Sequence, residues 1–386
     1  MIWENSVTDA KSALAWVPQI WCRQRPGLLK LSEGRTFCLF GGRSYGVVHC
    51  GEWRCSSRVV ECAAMSRPRV LIDGHAGTTG LRIRSWLTER DDLELWTLDD
   101  ASRKSTTARR QAIAESDVSL LCLPDDAAAE AAGWAKESGS RVIDASSNHR
   151  IADGWVYGLP ELEPEQRAAI RGAQYVTNPG CYPSAFILLL RPLLDANLLA
   201  PDAPVSCHAL SGYSGGGRSL IERWESNKGL KQQVYEAPYA AERVHKHVPE
   251  MQHYTGLLHA PQFLPAVGAF SNGMRVQVPI HAALMAPGVT GKTIWDALSD
   301  RYRSEAFVNV EPFTGFEPLD EWALDPTGMN GTNNMSLHVV PNPAGHVLLV
   351  GLLDNLGKGA SGVAIQSLNL MLGLGEGAGL PHGKRA

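Results

Sequence analysis

From residue 65 onward the chain alternates short apolar runs with segments of helical period, and this alternation predicts most of its architecture. Val70, Leu71 and Ile72 read as a buried strand, and Leu81, Ile83, Trp86 and Leu87 as the apolar stripe of the helix that follows. The pattern repeats through strand-like stretches at 93–98, 118–123 and 141–145, with helical stretches at 111–115 and 127–137 between them. Strands separated by helices run parallel with helices on both faces, so the first half is expected to be a doubly wound α/β sheet. Further on, Phe186, Leu189, Leu190, Leu193 and Leu194 recur at i, i+3, i+4, i+7 and i+8 and predict a strongly apolar helix. A helical segment at 219–224, strands at 274–280 and 347–353 and a last helix at 363–372 complete the pattern, the last helix being expected to fold back onto the first half.

Composition restricts the classes of function. With 386 residues, 44% hydrophobic and a formal charge of −4, this is a globular chain of two or three domains, too balanced in charge to suggest a nucleic-acid partner. No apolar run reaches the roughly 18 residues of a membrane helix, and the run at 186–190 is closed by Arg191 and Pro192, so a cytoplasmic protein without membrane contact is expected. The cysteines are unevenly placed. Cys22, Cys38, Cys50, Cys55 and Cys62 precede residue 65, whereas only Cys122, Cys181 and Cys207 follow it. The first group shows no C-x2-C spacing and has only His49 among it, so no metal is expected. That stretch also holds Trp3, Trp16, Trp21 and Trp53, lacks a sustained period and lacks the apolar h-region of a signal peptide. Residues 1–64 are therefore expected to be an extension outside the functional fold, with Met65 the candidate initiator.

Candidate chemistry sits at the strand ends. Gly74, Gly77 and Gly80, with Thr78 and Thr79, form a glycine turn between the first strand and its helix, where backbone N–H groups can meet a pyrophosphate. Its Gly-x-x-Gly-x-x-Gly spacing is looser than the usual dinucleotide fingerprint. After the second strand, Arg103 and Lys104 stand where an adenosine 2′-phosphate would be read, favouring NADP(H), while Asp99 and Asp100 favour a free ribose hydroxyl. Pro124 and Ser147 lie at the ends of later strands, and Arg150 is a candidate for bidentate contact with a phosphate of the substrate. Cys181 follows the Pro179-Gly180 turn at the start of the apolar helix, where the helix dipole is expected to lower its pKa and make it a nucleophile. Ser211, Gly212 and Tyr213 open a glycine-rich loop suited to an anion. His245 and His247, spaced two apart, are better suited to acid/base work than to a metal, and the glycines around 357–362 resemble another nucleotide contact.

Taken in order, the motifs IDGHAGTTGL (72–81), DASSNHR (144–150), YGLPEL (157–162), NPGCYP (178–183), SGYSGGGR (211–218), HKHVPEM (245–251) and DNLGKGASG (354–362) resemble N-acetyl-gamma-glutamyl-phosphate reductases of the shorter bacterial form. These belong to the wider aspartate-semialdehyde dehydrogenase superfamily. The resemblance runs from Val70 to Gly373, with Asn148 and Arg218 at positions where the family varies. It implies a Rossmann-like NADP-binding domain at 65–180, completed by 354–386, and an α+β catalytic and dimerisation domain at 181–353. It further implies Cys181 as nucleophile and His247, with His245 in reserve, as the acid/base. Arg150, Asn178, Ser211, Gly212, Tyr213 and Glu250 would contact a small acyl phosphate substrate. Asn355 and Gly359 would return to the nicotinamide end of the cofactor. A homodimer or homotetramer built through the second domain's sheet is also implied.

The chemistry read from the residues agrees with that family: a thiolate converts an acyl phosphate into a thioester, which accepts hydride far better than a carboxylate. Other readings stay open. The same chemistry could act on aspartyl phosphate or on a carrier-linked aminoadipyl or glutamyl phosphate. A cysteine hydrolase using Cys181 and His247, or a non-catalytic NADP sensor, would each leave part of the motif set without a use.

Overall fold

The computed structural model describes residues 67–226 and 234–381, together with two short strands, β1 (Leu28–Lys30) and β2 (Thr36–Cys38), paired antiparallel. Apart from that pair, the expectations for residues 1–64 lie outside the described residues. The chain divides into the units Met1–Met65 and Ser66–Ala386, and all that follows concerns the second.

Six strands form the first sheet: β3 (Arg69–Asp73), β4 (Glu94–Trp96), β5 (Val118–Leu121), β6 (Val142–Asp144), β7 (Val156–Tyr157) and β8 (Tyr175–Thr177), in the order β4-β3-β5-β6-β8-β7. Every pairing is parallel, because each connection carries a helix or a long crossover. The connecting helices are α1 (Thr78–Leu87), α2 (Thr106–Ala114), α3 (Asp125–Ser138) and α4 (Gln166–Gly172). Two bounds differ from expectation for local reasons. α2 starts at Thr106 because the Ser105 side chain accepts from the Ala108 N–H, and α3 starts at Asp125 behind Pro124, whose fixed φ suits a helix entrance.

α5 (Cys181–Asp195) follows and leads into the second sheet of β9 (Ser206–Gly212), β10 (Glu236–Pro238), β11 (Gln262–Gly268), β12 (Met274–Ile280), β13 (Val308–Val310), β14 (Met335–Pro341) and β15 (Val347–Leu353). Its order is β10-β11-β9-β12-β15-β14-β13, with parallel pairs only at β11/β9 and β13/β14. α6 (Gly217–Glu225), α7 (Val248–Thr255) and α8 (Gly291–Tyr302) lie between these strands in sequence, and α9 (Gly362–Leu372) ends the described helices. One face of the mixed sheet packs on α5, α7 and α8, with Phe186, Leu189, Met251, Ile294, Val276, Leu337 and Leu349 in a single apolar cluster. α5 comes close to the sheet at β15, where Gly351 is bare: a methyl there would lie 2.9 Å from the Ala185 Cβ.

α9 returns to the first sheet as expected. Its Ala364, Ile365 and Leu368 pack with Ile83 and Leu87 of α1, Ile170 of α4 and Val70, Ile72 and Leu120 of the strands. The opposite face is covered by α2 and α3 through Ala112, Ile113, Ala131 and Ala135 against Leu71, Leu121 and Val142. Among the described residues no helix is long and apolar enough to cross a membrane.

α5 carries the site on an apolar rod, so its seating is testable. Phe186 is fully buried on it, and Phe186→Ala is expected to cost about 3–5 kcal/mol, read as a lower urea midpoint at unchanged slope.

Candidate active site

Cys181 is the first residue of α5, directly after Gly180, whose extended backbone caps the helix without a side chain. The bare Gly180 gives room to its neighbours: a methyl at this position would lie 2.7 Å from His247 Nε2 and 2.6 Å from Glu250 Oε1. The histidine, the glutamate and the nucleophile's own turn are thus brought together by α5 and the start of α7. From the other side the Gly359 Cα hydrogen faces Cys181, since a Cβ there would stand 2.8 Å from the Cys181 Cβ.

Glu250 gathers three of the segments that build the site. Its carboxylate accepts from Arg150 Nη1 at 2.5 Å, from the Tyr157 hydroxyl at 2.8 Å and from the Gly180 N–H at 3.0 Å. Tyr254, one turn along α7, stacks on Tyr157 at 3.7 Å and donates its hydroxyl to the Arg150 carbonyl at 2.6 Å. Glu250 is 1% exposed and lies behind the cavity wall rather than in it. The sequence placed Glu250 among the substrate contacts; its position makes it the group that aims Arg150. Burial works against the Arg150 charge, but the facing Glu250 carboxylate outweighs it and raises the pKa further.

The two histidines part company in their bonding. His245 Nδ1 accepts the backbone N–H of His247 at 3.2 Å, and its Nε2 lies 3.4 Å from the Tyr239 hydroxyl. His247 is buried, its Nδ1 has no hydrogen-bond partner among the described residues, and its Nε2 edge faces Gly180. Burial lowers the His247 pKa well below the ordinary histidine value, helped by the Arg150, His245 and Lys246 charges. Burial also lowers His245, to about 4, with Lys246, Arg243 and Arg150 adding to it. Both imidazoles are therefore neutral at neutral pH.

The thiol departs from the sequence expectation. Burial pushes Cys181 up to about 11, and Arg150 and the backbone N–H groups of Tyr182 and Cys181 only partly oppose this. The helix start acts in the expected direction, yet desolvation of a thiolate by the enclosing protein outweighs it. The resting site holds a thiol beside a neutral imidazole.

These residues line a cavity of about 990 Å³. Arg150, Asn178, Cys181, His245, His247, Ser211, Gly212, Asn355, Gly359 and Thr79 of the expected residues all face it. Its charged lining consists of Arg150, Arg223, Arg243 and Lys246, with no carboxylate among the described residues. Three of those cations were not picked out from sequence, since Arg223 and Arg243 stand outside any motif and Lys246 lies unremarked between the two histidines of HKHVPEM. Tyr213 is outside the lining; it stacks on Trp224 and donates to Glu225 Oε1 at 3.2 Å. The Asn355 amide is spent on structure, accepting from the Gly273 N–H at 2.8 Å and donating to Ser214 Oγ at 3.0 Å. Among the described residues no three His, Cys, Asp or Glu are grouped as metal ligands.

Beside the cavity, the turn from β3 into α1 has the form a dinucleotide phosphate requires. Gly74 has φ +91°, and a Cβ there would strike the Cys122 carbonyl oxygen at 2.1 Å, so only glycine fits. The Gly77 N–H closes the turn on the Gly74 carbonyl at 3.0 Å, and Gly77 caps α1 without a side chain. The first-turn N–H groups of Thr78, Thr79 and Gly80 are left facing outward at the positive end of the helix, a cradle that fits a pyrophosphate. Ser147 donates its N–H and hydroxyl to the Asp125 carboxylate at 3.0 and 2.7 Å, fixing the ends of β5 and β6 together just after Pro124. Arg103 and Lys104 are exposed in the turn after β4, Arg103 paired with Asp100 at 2.7 Å.

Comparison with known proteins agrees with this arrangement. Residues 98–170 match the family described as semialdehyde dehydrogenase, NAD binding domain, and residues 181–355 the family described as semialdehyde dehydrogenase, dimerisation domain. An N-acetyl-gamma-glutamyl-phosphate reductase of Burkholderia ambifaria is 48% identical over 80% of this chain and 98% of its own length. N-acetyl-gamma-glutamyl-phosphate reductase 2 of a Nostoc species is 46% identical over 82% of this chain and 100% of its own. The fold is similar to that of aspartate semialdehyde dehydrogenase II from Vibrio cholerae, with TM-score 0.61 at 17% identity, covering 80% of this chain and 98% of that one. With a nucleotide turn, a cysteine at a helix start and sequence identity close to one half over four fifths of its length, this chain belongs to the N-acetyl-gamma-glutamyl-phosphate reductase family of semialdehyde dehydrogenases.

Proposed function

We propose that this chain reduces N-acetyl-L-glutamyl 5-phosphate to N-acetyl-L-glutamate 5-semialdehyde and phosphate, through a thioester on Cys181 and with NADP(H) as cofactor. The observation that carries this reading is the cavity, where a cysteine and an uncharged histidine lie within a lining whose charged side chains, among the described residues, are all cationic. A substrate with a phosphate and a free carboxylate complements such a lining, because each anion offsets cations that otherwise repel one another.

His247 takes the thiol proton as Cys181 Sγ attacks the acyl carbonyl, so that no free thiolate has to exist beforehand. Arg150, held by Glu250, receives the phosphate. The same contact offsets the Arg150 charge that adds to burial in holding the His247 pKa down, which favours the imidazolium once substrate is bound. The proton passes from His247 to the departing phosphate as the thioester forms. NADPH, when bound along the Gly74–Gly80 turn, supplies hydride for reduction of the thioester. Cys181 then leaves as a thiolate while the aldehyde forms, and a proton taken up from solvent through His247 restores the thiol. Arg103 and Lys104, at the carboxyl end of the second strand, support reading of a 2′-phosphate.

We propose the division of labour at 65–180 with 354–386 and at 181–353, and a cytoplasmic setting. We also propose self-association across the outer face of the second sheet, where Leu264, Pro279 and His338 are not fully covered.

Incubation with NADP, phosphate and N-acetylglutamate semialdehyde is expected to give phosphate-dependent cofactor reduction, with aspartate semialdehyde a much poorer substrate. Equal or better turnover of aspartate semialdehyde would overturn the substrate assignment. Cys181→Ala is expected to abolish turnover while cofactor binding stays within about twofold, and His247→Asn to lower kcat by about 10²–10⁴. The lowered His247 pKa places its proton uptake below the usual histidine range. The free enzyme should therefore show kcat/KM without an acid limb between about pH 6 and 8. Iodoacetamide alkylation of Cys181, localised by mass spectrometry, should rise with pH toward a midpoint of about 11. A plateau reached near neutrality would mean a preformed thiolate.

A further inference from the structure

Lys358 is fully buried, yet it has no place in the chemistry above. Its Nζ donates to both oxygens of Glu161 at 2.8 and 2.9 Å and to Gln366 Oε1 at 2.5 Å, and the Glu161 side chain is as completely enclosed. Gln366 in turn donates to Glu161 at 3.0 Å and to Glu376 at 2.9 Å. Arg167 extends the group by holding Glu376 and Glu305. Burying such a pair is seldom favourable compared with well-packed apolar residues, so its retention calls for a positional reason.

The reason lies in the backbone next to it. Residues Gly357–Ser361 form a turn of π-helix, an uncommon and wider winding, ahead of α9. Successive residues of this turn face opposite ways. The side chain of Lys358 enters the interior, Gly359 abuts the Cys181 Cβ, and the Ala360 carbonyl accepts from Asn178 Nδ2 at 3.0 Å. Gly359 and Ala360 both line the cavity. On the far side, Glu161 follows Gly158, whose N–H donates to the Thr177 carbonyl at 2.8 Å, immediately ahead of Asn178. The ion pair therefore ties the segment leading out of β7 to the turn that backs the nucleophile.

We propose that Lys358 and Glu161 are positioning residues for Cys181: their ion pair locks the π-turn so that Gly359 buttresses the nucleophile and Ala360 fixes Asn178. The inference rests on the proposed thioester chemistry for its effect on rate, but its effect on the thiol can be read without substrate.

The test uses Lys358→Met/Glu161→Gln, which removes both charges and leaves no lone ion inside, and Lys358→Arg, which keeps the charge in a different shape. Each is measured for thermal midpoint, for the pH profile of Cys181 alkylation and for kcat and KM. The expected result for variants that fold is a change of at least about fivefold in alkylation rate at a fixed pH. A 10- to 100-fold fall in kcat should accompany it, with KM for semialdehyde within about threefold. Should the double variant fail to fold, Lys358→Arg decides alone. A folded variant whose alkylation profile and kcat both stay within about twofold of the parent would reduce the pair to a stability element and overturn the proposal. Altered alkylation in the variants of a parent enzyme inactive on N-acetylglutamate semialdehyde would uphold the inference and sink the substrate assignment instead.

Discussion

One buried carboxylate organises the site. Glu250 has almost no exposure, and a carboxylate in that position must collect donors or lose its charge. It collects them from three separate parts of the chain: Arg150 beyond β6, Tyr157 on β7 and the Gly180 N–H at the mouth of α5. Each donor has a second task. Arg150 faces the cavity, Tyr157 stacks on Tyr254, and Gly180 places both the imidazole of His247 and the start of the helix that bears Cys181. Displacing any of these leaves a buried charge without a partner, so the geometry is held by the cost of its alternatives.

The electrostatics of the resting cavity follow from the same enclosure. Protein surrounds Cys181 and both histidines closely enough that each is driven to its neutral form, the thiol upward and the imidazoles downward. The guanidinium of Arg150 keeps its charge because Glu250 stands opposite. The site thus presents the guanidinium of Arg150, held by Glu250, and the more exposed Arg223, Arg243 and Lys246 around an uncharged thiol and two uncharged imidazoles. Its reactivity depends on the anion that enters, and a bound phosphate redistributes the field at the atoms that exchange a proton.

Much of this was legible in the residues. The alternation from Val70 onward gave the parallel sheet, and the turns at 74–80 and 178–181 marked the nucleotide cradle and the nucleophile. What sequence could not supply was depth. The position of Cys181 at a helix start is plain from Pro179-Gly180, but the pKa depends on how much protein closes around it. Glu250 stood among the substrate contacts only through the resemblance; the fold sets it behind Arg150. Lys358 lay within a recognised motif as one more polar residue between glycines, and no local signal places Glu161 against it from 197 positions away. Arg223, Arg243 and Lys246 became a feature only when the cavity brought them to one wall.

The return of α9 to the first sheet has a consequence for synthesis. Ala364, Ile365 and Leu368 complete the layer that covers Val70, Ile72 and Leu120, on strands made about 240 to 300 residues earlier. During translation α1 and α4 reach that face early, but it stays incompletely covered until α9 has been made, and an apolar parallel sheet with part of one side open is prone to wrong association. Closure therefore has to wait for α9, and it spans a sequence separation of the kind that slows folding. The segment that backs Cys181 and the helix that seals the nucleotide-binding sheet are continuous in sequence. Assembly of the reactive centre and completion of the oldest part of the fold thus become a single late event.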